Sequence, residues 1–139
     1  MDGFSFVHSE HVRFRDLDAM GHINNAVFAT YIEQARVEYL ASLHVLDGPV
    51  YDPGSESMIL ARIEIDFRAP GMPEPDQVDI GVRPASVGRK SFTLDYRLEQ
   101  GGEVLAEATT VLVSYDYERA CSREVPDDWR NALERPVPA

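Results

Sequence analysis

Between residues 28 and 44 the apolar positions recur at three- and four-residue steps: Phe28, Tyr31, Ile32, Ala35, Tyr39 and Leu43. That spacing puts them on one stripe of an α-helix, and roughly 17 residues at 1.5 Å each span about 25 Å. Ala29, Ala35 and Ala41 leave room for other backbone to approach. Asp47-Gly48-Pro49 should end the helix, since Gly and Pro do not continue it. Elsewhere the period is two. In M-I-L-A-R-I-E-I-D-F-R (58–68), Ile59, Ala61, Ile63, Ile65 and Phe67 are predicted on one strand face, with Arg62, Glu64, Asp66 and Arg68 on the other. Val78, Ile80 and Val82 repeat the alternation, as do Phe92, Leu94, Tyr96 and Leu98, and residues 104–115 form a fourth long strand with both faces partly apolar. Ahead of the helix, H-V-R-F-R-D (11–16) has Val12 and Phe14 on one face and is predicted as the first strand.

Turn residues punctuate this pattern. D-G-P-V-Y-D-P-G-S-E-S follows the helix as a loop, residues 70–73 (P-G-M-P) turn, and Gly101-Gly102 marks a tight hairpin. Pro126, Asp127 and Asp128 open a short C-terminal helix over residues 127–134, around Trp129. One strand, one long helix and four strands make an α+β protein: an antiparallel sheet with one helix packed across a face. No repeat or linker interrupts the 139 residues, and two cores in that length would each be marginal, so a single domain is expected over 1–139 with its core at about 8–117. The helix face turned away from the sheet is not strongly charged, so a homo-oligomer, dimer or tetramer, is expected.

Composition narrows the function classes. With 44% hydrophobic and 27% charged residues the chain is an ordinary globular one, and no apolar run reaches membrane-span length. The first ten residues carry no leader pattern. The single cysteine, Cys121, permits no internal disulfide and reads as a surface thiol without a His partner nearby; a cytoplasmic setting is expected. The net charge of −11 argues against nucleic-acid and anionic-membrane partners, which need a positive field. An anionic small molecule needs only a few local cations, and Arg89-Lys90, with Arg83 upstream and Ser91 beside them, form such a cluster at a turn. The histidines at 8, 11, 22 and 44 show no metal-ligand spacing, so no metal is expected.

The densest polar chemistry is D-L-D-A-M-G-H-I-N-N (16–25), placed at the mouth of the helix. Asn24 or Asn25 suits the N-cap. A helix start also offers free N–H groups and partial positive charge to a developing anion. A nearby carboxylate then supplies the second half of an acyl-transfer centre, as nucleophile or general base. Asp16 and Asp18 stand two apart, so on an extended segment geometry does not separate them. Glu33 is a third carboxylate, although Arg36 three residues on makes an intrahelical ion pair the simpler account.

The pattern D-x-D-A-x-G-H-x-N, continued by Y-I-E-Q-A-R, resembles the 4-hydroxybenzoyl-CoA thioesterase-like family of hotdog-fold acyl-CoA thioesterases. I-D-F-R-A-P with D-Q-V-D-I, and V-G-R-K-S-F-T-L-D-Y, add to the resemblance, which covers roughly residues 8–117. It implies a five-stranded antiparallel sheet wrapped around one long central helix. It also implies an acyl-CoA substrate, no cofactor beyond the CoA of the substrate, and Asp18 as the catalytic carboxylate. Asn25 takes the place whose backbone N–H polarises the thioester carbonyl; its amide side chain cannot act as a base near neutral pH. Gly21 would let backbone pass close to the ligand, with His22 and Asn24 lining the same loop. Arg89, Lys90 and Ser91 would hold CoA phosphates, often across a subunit boundary. Two rival readings are an enoyl-CoA hydratase of the same fold using an Asp/His pair, and a non-catalytic module that binds acyl thioesters.

Overall fold

The computed structural model describes residues 1–46 and 56–135. Five long strands form one antiparallel sheet: β1 (Phe6–His11), β2 (Glu56–Phe67), β3 (Gln77–Val87), β4 (Ser91–Gln100) and β5 (Glu103–Asp116). Their spatial order is β1-β3-β4-β5-β2, and the two-residue β6 (Cys121–Ser122) pairs with β5. The long helix α1 (Asn25–Ser42) lies against β1 and β3, and the C-terminal α2 (Asp127–Glu134) packs beside β3. This is the expected α+β arrangement. Most of the predicted loop after the helix, from Asp47 to residue 55, lies outside the described residues.

The core forms where the two periodicities meet. Val78, Ile80 and Val82 on β3 and Phe92, Leu94, Tyr96 and Leu98 on β4 are buried against Phe28, Tyr31, Ile32, Ala35 and Leu40 of α1. Fully burying each large apolar side chain contributes about 1.5–3 kcal/mol. At the other end of the sheet α2 seats Trp129 edge-on to Phe92, with ring centroids 6.4 Å apart. Gly101 and Gly102, both at positive φ, turn β4 into β5 as expected.

Three expectations are corrected. The first strand is residues 6–11, not 11–16. Beyond His11 the chain closes a 3₁₀ turn, Phe14–Asp16, in which Asp16 N–H donates to the Arg13 carbonyl and Asp16 Oδ2 accepts from Arg13 N–H. Phe14 is left 93% exposed, so the alternation there marks no buried face. Second, β2 does not keep Ile59 through Phe67 on one side. A bulge between Leu60 and Arg62 leaves Ala61 unpaired and flips the register, so Met58 and Leu60 share the helix-facing side with Ile63, Ile65 and Phe67. Ile59 goes to the outer face. Third, α1 ends at Ser42, ahead of the predicted stop: Leu43 caps it and His44 takes a positive φ of 59°. Val45 and Leu46 N–H both return to the Leu40 carbonyl, which closes the helix end.

Candidate active site

Between the 3₁₀ turn and α1 the chain makes a small closed hairpin. Leu17 and Ile23 form an isolated β-bridge, and Asp18 N–H donates to the His22 carbonyl at 2.8 Å. Gly21 turns the tip with φ of 77°, a conformation glycine adopts without a Cβ penalty, and no protein atom crowds its Cβ position. Asp18 Oδ1 accepts the N–H groups of Met20 (2.9 Å) and His22 (3.1 Å). Among the described residues no donor engages its Oδ2. The carboxylate is therefore oriented through one oxygen and free at the other.

The hairpin delivers the chain to α1 at Asn24, the N-cap, whose Oδ1 accepts Ala26 N–H at 2.9 Å and whose carbonyl accepts Val27 N–H at 2.9 Å. Asn25, the first helical residue, keeps an N–H with no acceptor among the described residues. That is the group a helix N-terminus leaves available to an anion. A cleft of about 400 Å³ brings these parts together: Asp18, His22, Ile23, Asn25 and Phe28 line one side, and Phe67 to Gly71 the other. Phe28 meets Phe67 edge to face at 5.2 Å. A Cβ at Gly71 would lie 2.6 Å from Ile23 Cδ1 and 3.0 Å from Ile23 Cβ, so a larger residue there would displace Ile23. The Gly71 carbonyl accepts Ile23 N–H at 2.8 Å, which ties the end of β2 to the hairpin. Arg68 stands at the mouth, 3.5 Å from Glu107.

The structure separates the two aspartates that spacing left equivalent. Asp18 is exposed in the cleft. Asp16 is 8% exposed and bonded to the Tyr31 hydroxyl at 2.7 Å and to Arg13 N–H at 3.0 Å. Glu33 points to solvent 4.0 Å from Arg36 and does not line the cleft. Asn24 spends its side-chain oxygen on the cap and is not part of the cleft lining. Arg89, Lys90 and Ser91 are not brought to the cleft within one chain. Ser91 pairs with Val113 and Leu98 with Ala106, the row that holds Phe67, so seven residue steps, about 23 Å of strand, separate them. There the Arg89 guanidinium donates to Glu124, and the turn's backbone is braced by Val125 and Arg130. Among the described residues no group of three or more His, Cys, Asp or Glu side chains converges as metal ligands.

The wall from Phe67 to Gly71 and the floor residue Phe28 were read from sequence as helix, strand and turn positions and not as site residues. Apart from Arg68 their types are apolar or conformational, and the wall meets the hairpin only through the fold; the one signal was I-D-F-R-A-P as part of the resemblance.

Known proteins resemble this chain in sequence and in fold. The family model described as the thioesterase-like superfamily matches residues 12–133. A 1,4-dihydroxy-2-naphthoyl-CoA hydrolase from Synechococcus elongatus is 30% identical over 122 residues, covering 85% of this chain and 89% of its own. YsmA, an uncharacterised Bacillus subtilis protein, is 28% identical over 131 residues, 94% of this chain and 86% of its own. Among solved structures, a thioesterase from Thermus thermophilus, complexed with coenzyme A and zinc, superposes with a TM-score of 0.82 at 32% identity, covering 99% of this chain and 100% of that one. The chain belongs to the thioesterase-like superfamily and is a thioester hydrolase of the hotdog fold.

Proposed function

We propose that this enzyme hydrolyses acyl-CoA thioesters at the hairpin–helix cleft. The observation that carries the reading is the pairing in one cleft of an oriented carboxylate with a free oxygen, Asp18, and a helix-start N–H without an acceptor, Asn25. The Asn25 N–H receives the thioester oxygen and stabilises the charge that grows on it as the carbonyl becomes tetrahedral. Asp18 Oδ2 either attacks that carbon, expelling CoA thiolate and leaving an anhydride that water opens, or takes a proton from the water that attacks. Both routes end in free acid and CoA, and water is the only co-substrate. Support for the CoA thioester as substrate comes from the Synechococcus hydrolase, whose name specifies one, and from the Thermus thioesterase that holds coenzyme A.

The same reading includes a second copy of the chain. β2 is an edge strand whose helix-facing residues Leu60, Ile63 and Phe67 remain 44%, 37% and 49% exposed, because α1 lies over β1 and β3. Antiparallel pairing of two β2 edges satisfies their backbone groups and sets these side chains beside their counterparts. It also sets the Met58 end of one copy beside the Phe67 end of the other. Arg89 and Lys90 of the second copy then lie at the end of the sheet that carries the Asp18 cleft, where cations can meet the CoA phosphates.

The deciding experiment is thiol release from short, long and aromatic acyl-CoAs by the wild type and Asp18→Asn in parallel. Turnover by the wild type with a loss of about 10²–10⁴-fold in the variant is expected. No thiol release from any member of the panel would sink the proposal; equal rates in the two proteins would remove Asp18 from it.

A further inference from the structure

The two reacting groups of the cleft sit in different mechanical frames. The Asp18 carboxylate rides on the hairpin, whose own bonds run within residues 17–23 and to Gly71. The Asn25 N–H rides on α1. Between them the backbone turns at Asn24, where ψ is 136°, outside the helical range. Attack on a polarised carbonyl needs both groups at one spacing, so something has to hold the frames together.

Among the described residues two hydrogen bonds cross that joint. Asn24 N–H donates to the Asp16 carbonyl at 2.8 Å, close to the hinge itself. The other is the bond from the Tyr31 hydroxyl to Asp16 Oδ2, at 2.7 Å. Tyr31 lies six residues beyond Asn25, about 9 Å up the helix, so this bond acts with leverage that a contact at the hinge lacks. Asp16 and Tyr31 are 8% and 2% exposed, and the same carboxylate oxygen accepts Arg13 N–H at 3.0 Å, which fixes where it points. Burial first, and the bond to Asp16 next, hold the Tyr31 hydroxyl well above the ordinary phenol range. It is therefore the donor, and the carboxylate the acceptor. Neither residue lines the Asp18 cleft.

We infer that the Asp16–Tyr31 hydrogen bond is a positioning device for the hydrolysis proposed above: it locks the Asp18 hairpin to the body of α1, so that carboxylate and oxyanion amide keep one separation. The inference rests on that proposed reaction. Because the pair lies outside the Asp18 cleft and lines a separate cavity, its loss is expected to leave binding in place and to misplace the reacting groups, an effect that can reach about 100-fold for a displacement of 1 Å.

The test uses Tyr31→Phe, which keeps the packed ring, with Asp16→Ala and the double variant. Acyl-CoA hydrolysis, thermal unfolding and amide exchange by mass-resolved or NMR methods are read on each. Tyr31→Phe is expected to lower kcat by about tenfold or more with KM changed less than about twofold. The two single losses should not multiply in the double variant, since they remove one interaction. Exchange at Met20 and His22, whose N–H groups are held by Asp18, should accelerate while Ile32 in the helix is unchanged. Wild-type kcat in Tyr31→Phe would overturn the inference and leave Asp18 chemistry standing, as would losses that multiply or a change confined to KM. If the wild type hydrolyses no acyl-CoA, the proposed reaction fails and this role in it falls too; exchange still judges the clamp itself, and unchanged rates at Met20 and His22 would remove that as well.

Discussion

Tyr31, Tyr39 and Tyr96 carry hydroxyls into a core made mostly of aliphatic side chains, and their titration gives the fold an alkaline limit. Burial is the first cause of each upward shift. Asp16 adds to it at Tyr31, whereas at Tyr96 the Arg36 guanidinium works the other way. Tyr39 is pushed up to about 12 by burial and then by Tyr96. A tyrosine whose folded pKa lies above its unfolded one favours the fold while it is neutral. That contribution is complete below pH about 10 and is lost as pH rises towards 12. Thermal melts from pH 8 to 12 should thus show no fall from these groups up to about pH 9.5 and a steepening fall above it, with Tyr39→Phe recovering roughly 2–3 kcal/mol by pH 12. A variant that loses stability in parallel with the wild type would remove Tyr39 from the account. At this scale the sequence was informative where chemistry is contiguous: Asp18, His22 and Asn25 fall within eight residues and share one cleft. It was silent where two residues differ only by backbone path. Asp16 and Asp18 look alike on an extended segment, and only the 3₁₀ turn sends one to Tyr31 and the other to the cleft.

Among elements, the start of α1 matters most, because one N-cap both begins the helix and spares the amide beside it. Asn24 engages Ala26 through its side chain and Val27 through its carbonyl, and the Asn25 N–H meets no acceptor among the described residues. Asn24→Ala should remove about 1 kcal/mol and lower Tm by about 2–5 °C, with Asn24→Asp or Asn24→Ser close to wild type. An unchanged Tm in the alanine variant would show that tertiary contacts hold the helix start without the cap. The periodic elements were legible because 3.6- and 2-residue patterns follow directly from burial: α1, β3, β4, β5 and α2 stand near their predicted places. The exceptions share one cause. The bulge at Ala61 shifts the strand by a single residue, and the 3₁₀ turn at Phe14 and the left-handed His44 each end a regular period, whereas periodicity assumes constant phase.

For the molecule as a whole, the asymmetry of the sheet is the determining fact. One edge, β1, has α1 against it; the other, the twelve-residue β2, has no further strand beside it among the described residues and carries three half-exposed apolar side chains on its inner face. Long apolar edges of this kind pair or aggregate unless they are covered. A two-fold pair of β2 edges is self-complementary and closed, so a second copy satisfies it without forming a filament. Ile63 sits near the middle of the strand, where a two-fold axis would bring it close to its own counterpart. Ile63→Glu would put two like charges there, and burying them unpaired is strongly unfavourable. Because Ile63 is 37% exposed in the single chain, the change should cost the fold far less than it costs the assembly. In sedimentation equilibrium the wild type should run at twice 15.6 kDa or a multiple of that, and the variant at 15.6 kDa over the same concentrations, a weakening on the order of 100-fold or more in dissociation constant. Under the proposed pairing, in which Arg89 and Lys90 of the second copy reach the cleft, thioesterase activity should fall with the assembly. A wild type that sediments as a monomer would reject the paired edge; a fully active monomeric Ile63→Glu would keep the edge but place the whole site within one chain.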